Sequence, residues 1–70
     1  MAREAVINRV NPYLLHGEQY YEIYYSYTNE PDTLRQSRIA HTNIYSDPQA
    51  GDQILIEAVL NVIMDIKKKE

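Results

Sequence analysis

The side chains able to do chemistry in this chain are few and widely separated. Its two histidines, His16 and His41, lie 25 positions apart. A metal-binding or general-base role for either needs carboxylates delivered by the fold, and the candidates near His41 are Asp47 and Asp52. No spacing of a zinc motif occurs. A turn residue at His16 and a polar strand residue at His41 are the simpler assignments. Ser26, Ser37 and Ser46 lack the strand-turn-helix setting of a nucleophile elbow. Asp47 and Asp52 offer the oxygen ligands that calcium prefers, but the run Ser-Asp-Pro-Gln-Ala-Gly-Asp does not place acids at alternate positions as an EF-hand loop does. Turn formation and capping account for both aspartates. With Gly17 and Gly51 as the chain's glycines, no glycine-rich phosphate cradle can be built. The expectation is a protein that is not an enzyme, with no catalytic residue, no metal site and no cofactor.

Binding chemistry is better represented. Five of the seven tyrosines fall within residues 18–28, Glu-Gln-Tyr-Tyr-Glu-Ile-Tyr-Tyr-Ser-Tyr-Thr. Read at a period of two, Tyr21, Ile23, Tyr25 and Tyr27 share one face and Tyr20, Glu22, Tyr24 and Ser26 share the other. Successive side chains leave opposite faces of a strand, so this alternation describes a long half-buried central strand. The first set is expected in the core and the second outside. Tyr20 and Tyr24 could stack on bases, as in barrels that bind single-stranded nucleic acid, but Glu22 between them repels phosphate. The seven Lys/Arg against ten Asp/Glu, a formal charge of −3, weaken that reading further. Exposed tyrosine and arginine mark protein contacts, so Tyr20, Glu22, Tyr24 and Arg38 are the candidate binding residues, for a protein partner or a second copy. Arg35 and Arg38, with the C-terminal lysines, offer a small basic patch or a charged edge that blunts strand pairing.

The elements that must position these groups follow from the rest of the chain. Seventy residues are expected to make one domain, 1–70, and a chain this short buries only roughly 60% of its unfolded surface. It has no cysteine, which removes disulfides and thiolate zinc sites together. Tyrosine supplies all the large aromatic surface, because Phe and Trp are absent. The N-terminal run Met-Ala-Arg-Glu-Ala-Val lacks the apolar core of a signal peptide. The apolar stretch 54–66 is broken by Glu57, Asn61 and Asp65 and is too short to span a bilayer. A soluble, cytoplasmic protein without membrane contact is expected.

Residues 4–10 read as a first strand, interrupted by Asn11-Pro12. Tyr13-Leu14-Leu15 resumes it, and His16-Gly17 makes a turn with positive φ at Gly17. Residues 29–33 are a polar turn. Residues 34–45 are strand-like with mixed faces, as in an edge strand or one that changes face at a bulge. Residues 53–69 decide the fold. As strands, Ile54, Ile56, Ala58 and Leu60 share a face, the chain bends at Asn61, and Val62, Met64 and Ile66 point inward. As a helix, Glu57, Asn61, Asp65 and Lys68 form one polar stripe and Asp52 caps its start.

Gly51-Asp52-Gln53-Ile54-Leu55-Ile56 resembles the Gly-Asp-x-Val-x-Val entry into a late strand of small SH3-like or OB-like barrels. The order also resembles them: an opening Ala-Val-Ile-Asn-Arg-Val strand, a glycine turn, a tyrosine-rich strand, a polar turn and a third strand. Bacterial proteins of an uncharacterised family with a small β-barrel domain share this layout. The resemblance implies an all-β, five-stranded SH3-like or OB-like barrel, and the exposed tyrosine-rich face points to protein interaction as its role. The alternative is an α+β arrangement, a three-stranded antiparallel sheet followed by a C-terminal helix over 53–68 that docks onto a partner helix. A single-stranded nucleic-acid-binding barrel is the alternative function.

Overall fold

The computed structural model describes residues 2–69 and contains five strands and one short 3-10 turn. They are β1 (Ala2–Leu15), β2 (Glu18–Tyr27), β3 (Arg35–Ala40), η1 (His41–Asn43), β4 (Gln53–Val59) and β5 (Val62–Lys68). All ladders are antiparallel, in the order β3-β2-β1-β4-β5. The domain is all-β, and the helical alternative for 53–68 is overturned because that segment is the β4–β5 hairpin. Its β-branched residues win over its helix formers because β4 has a ladder to join: Glu4 pairs with Leu55 and Ala5 with Ile54.

Two bulges curl the sheet. On β1, Ile7 faces Tyr25 and Arg9 faces Tyr24, so Asn8 is the extra residue. On β5, Asp65 faces Glu57 and Ile63 faces Ala58, so Met64 is extra. A bulge bends its strand and increases the local twist. The segment that follows β3 and η1 thereby reaches β5, where a parallel bridge joins Ile44 to Ile66. Among the described residues no ladder joins β3 to β5, so the sheet is not a closed barrel.

The curled inner face holds the core: Ala5, Ile7, Ile23, Tyr25, Tyr27, Ile39, Ile44, Ile54, Ile56 and Ile66. Five of these isoleucines are fully buried, at about 1.5–3 kcal/mol each relative to exposure. Ala5, paired with both Tyr27 and Ile54, keeps the crowded centre of the sheet narrow. The expected core face of β2 is observed, with Tyr21 only partly buried at its end.

Three local expectations are corrected. Pro12 does not interrupt β1, which runs through it and pairs Pro12 with Tyr21. Strand β4 pairs only with residues 2–6 of β1, so at Pro12 the strand has a neighbour on one side and a proline is tolerated. The bend falls at Asn8 instead. Second, Val62 and Met64 point outward, at 61% and 55% exposure, because the Met64 bulge brings Ile63 inward with Ile66. Third, Leu60 is 92% exposed, since it and Asn61 (φ 51° and 67°) form the hairpin turn itself. The turn lies where Asn61 marked it. In the mixed 34–45 segment, β3 is an edge strand, and the η1 turn after it lets Ile39 and Ile44, an odd number of residues apart, both enter the core.

Candidate functional site

The outer face of β2 is flanked on one side by β1 and on the other by β3, and the register forms three cross-strand rows. Arg9, Tyr24 and Gln36 make the first, Asn11, Glu22 and Arg38 the second, and Tyr13, Tyr20 and Ala40 the third. All four candidate residues, Tyr20, Glu22, Tyr24 and Arg38, therefore lie on one continuous surface. Sequence periodicity missed Arg9, Asn11 and Tyr13 as members of it. Their parity is set by the bulge at Asn8, and only β1–β2 pairing reveals that bulge.

Each row has its own chemistry. The rings of Tyr13 and Tyr20 are stacked, with centroids 5.7 Å apart and planes inclined by 22°, a geometry that adds to simple burial. The guanidinium carbon of Arg9 lies 5.9 Å from the Tyr24 ring centroid, within cation–π range. Between these aromatic rows sits Glu22. Its Oε1 accepts a hydrogen bond from Asn11 Nδ2 at 3.2 Å, and its Oε2 accepts one from Gln36 Nε2 at 2.7 Å. Arg38 Nε is 3.9 Å from Oε2, on a side chain that is 70% exposed. The Asn11 hydrogen bond, with help from Gln36 and the positive field of Arg38, holds the Glu22 carboxyl below the usual carboxylate range. Glu22 is thus an ionised, fully hydrogen-bonded centre. A hollow of about 310 Å³ lies beside it, lined by Asn11, Tyr13, Glu22 and Arg38.

At the end of this face the β1–β2 hairpin projects beyond β4, turning through His16 and Gly17 at φ 51° and 81°. A β-carbon at Gly17 would meet open space, so the positive φ alone favours glycine there. Leu14, beside the turn, is 70% exposed.

The remaining candidates are dispersed. His16 lies in that turn and His41 opens η1, both exposed. Among the described residues no group of three or more His, Asp and Glu side chains is placed to hold a metal ion. Asp47 accepts a hydrogen bond from Gln49 Nε2 at 2.7 Å. Asp52 accepts from the Tyr45 hydroxyl at 2.7 Å and from the Gln49 N–H at 3.0 Å. Both aspartates shape the 46–52 loop. Ser26 accepts a hydrogen bond from Asn8 Nδ2 at 3.1 Å. Arg35 and Arg38 do not form one patch, because residues three apart on a strand leave opposite faces. Arg35 reaches Glu30 and the Tyr27 ring, and Lys69 pairs with Glu4. No described helix is long and apolar enough to cross a membrane. Comparison with family models, with curated proteins and with solved structures finds no match for this chain, so its geometry carries the functional argument.

Proposed function

We propose that the protein is a non-catalytic interaction module that binds a protein partner through the outer face of β1, β2 and β3. The observation that carries this reading is the arrangement of Tyr13, Tyr20, Tyr24, Arg9 and Arg38 around a satisfied Glu22. Tyrosine and arginine dominate the contacts that matter in protein interfaces. Here their rings are held by stacking and cation–π contacts, so little side-chain freedom is lost on binding. Exposed Leu15, paired with Glu18 and so on the side of Tyr13 and Tyr20, extends the surface at the hairpin tip. Of the two barrel forms the sequence resembles, the OB-like one suits the curled, unclosed sheet better, as a five-stranded barrel that is partly open. The module works in the bacterial cytoplasm, and a second copy of the chain can serve as the partner.

Tyr20→Ala combined with Arg38→Glu tests the reading. The wild-type protein is expected to self-associate in sedimentation at high concentration or to retain a specific partner in pull-down. The double variant, with an unchanged circular dichroism spectrum, is expected to lose that contact. A wild-type monomer that recovers no partner would defeat the proposal.

One observation favours a second reading, a barrel for single-stranded nucleic acid. Glu22 is engaged by Asn11, Gln36 and Arg38, so the face does not present a bare carboxylate to a phosphate backbone. Stacking on the Tyr13–Tyr20 pair would then supply affinity, with binding that weakens steeply as salt rises. An oligonucleotide shift assay at low and moderate salt separates the two readings.

A further inference from the structure

The inner side of the sheet carries a second cluster, at the end where β1 begins and β2 finishes. The guanidinium carbon of Arg3 lies 3.7 Å from the Tyr27 ring centroid, and that of Arg35 lies 5.4 Å from it. Arg35 Nη2 donates to Glu30 Oε1 at 3.1 Å, and Arg3 Nη2 is 3.8 Å from the same oxygen. Arg3 Nη2 also donates to Asn29 Oδ1 at 3.1 Å. Tyr25 packs edge-on against Tyr27, with centroids 5.5 Å apart and planes at 81°. Arg3, Tyr25, Tyr27 and Arg35 line one wall of a cavity of about 420 Å³, and Ala58 and Ile63 of the β4–β5 hairpin line the other. That volume is within the range of small-ligand sites.

We infer that this cavity is a binding site for a small organic anion, a carboxylate or phosphate carried on an apolar or aromatic body. Its two walls differ in the way such a ligand requires. One presents two guanidinium groups and two tyrosine rings, the other presents aliphatic side chains. Arg3, Arg35 and Glu30 together leave one positive charge in excess. Glu30 engages both arginines through a single oxygen, whereas each guanidinium carries five N–H donors in a fork that matches carboxylate and phosphate. Both forks therefore keep donors for an incoming oxyanion. The ligand's body would lie against Ala58 and Ile63, and Asn61 at the hairpin turn adds a polar group to the rim. The site is independent of the outer face, since Arg35 and Arg38 leave opposite sides of β3.

Amide NMR titrations of the intact chain with phenyl phosphate, benzoate and inorganic phosphate test the inference. Saturable shifts at Ala58, Asn61 and Ile63 are expected with phenyl phosphate, with benzoate, or with both. The stronger of the two identifies the oxyanion. Inorganic phosphate, lacking the apolar body, should bind at least about tenfold more weakly. Arg35→Gln should weaken the stronger probe about tenfold through loss of a charge-assisted hydrogen bond, while Arg38→Gln leaves it unchanged. If the Arg35→Gln spectrum loses its dispersion, Arg3→Gln replaces it, with the same expected loss. Absence of saturation with both organic probes would overturn the inference. So would shifts centred on Tyr20 and Arg38, full affinity in the cavity variant, or inorganic phosphate binding as tightly as the organic probes.

Discussion

Tyr45 donates its hydroxyl to Asp52 Oδ2 across 2.7 Å, and the same oxygen accepts the Gln49 N–H at 3.0 Å. The pair spans the 46–52 loop, which is also fastened to β1: Gly51 N–H donates to Ile7 O at 2.7 Å, and Ile7 N–H donates to Asp52 O at 3.0 Å. One carboxylate thus organises the crossing from the β3 edge of the sheet to β4. The Tyr45 hydroxyl, followed by the Gln49 N–H, holds the Asp52 carboxyl below its ordinary range.

Acid sensitivity follows from that depression. A carboxyl whose folded pKa lies below its unfolded value of about 3.9 stabilises the fold fully above that value and loses the contribution as pH falls through the folded one. Glu22, lowered first by Asn11, acts in the same direction. Urea midpoints should therefore fall below about pH 4. The decline should be shallower in Asp52→Asn and in Glu22→Gln. An unchanged slope in both variants would mean that neither carboxylate is held as described.

The alkaline limb has the opposite sign. Burial, and then the neighbouring Tyr27, push the Tyr25 hydroxyl up to about 12. Burial and the Asp52 hydrogen bond push Tyr45 up as well. The unfolded chain releases these protons near pH 10, so their stabilisation is intact below about pH 10 and is lost as pH rises through the folded values. Thermal melts between about pH 9 and about pH 12 should show the loss, and Tyr25→Phe should flatten it.

The β4–β5 turn is a site for improvement. Leu60 and Asn61 both have positive φ, the conformation of a two-residue type I′ turn that prefers Asn-Gly. Leu60 is exposed, so its replacement removes no core contact. Leu60→Asn with Asn61→Gly should raise stability by about 1 kcal/mol through relief of left-handed strain. Urea denaturation checks it, and a loss of stability would show the turn to be of another type.

Alanine substitutions test the assignment of faces. Tyr25→Ala should cost about 3–5 kcal/mol, because Tyr25 is buried. On β5, Ile63→Ala should cost about 1–2 kcal/mol for a half-buried side chain. Val62→Ala and Met64→Ala should stay within about 0.5 kcal/mol. A reversed order between Ile63 and Met64 would remove the bulge from the description of β5.

Much of this architecture was legible in the sequence because period-two alternation is a local property. The tyrosine strand, the inward Ile23, Tyr25 and Tyr27, the turns at Gly17 and Asn61, and the outward set Tyr20, Glu22 and Tyr24 could all be read from neighbouring residues. The choice of strand over helix for 53–69 rested on resemblance, since its helix formers and β-branched residues oppose each other in a window that contains no third party. The structure resolves the conflict by giving β4 a ladder on β1.

What the tertiary structure alone decided are the relations set by pairing between distant segments. One extra residue at Asn8 carries Arg9, Asn11 and Tyr13 onto the face of Tyr20, and one at Met64 turns Ile63 inward in place of Val62 and Met64. A bulge is a mismatch between two strands, so neither strand's own sequence reveals it. The same holds for Arg3 and Arg35, 32 positions apart in sequence yet beside one tyrosine ring. Sequence determined which residues face in or out along each regular stretch. The fold determined which of them meet.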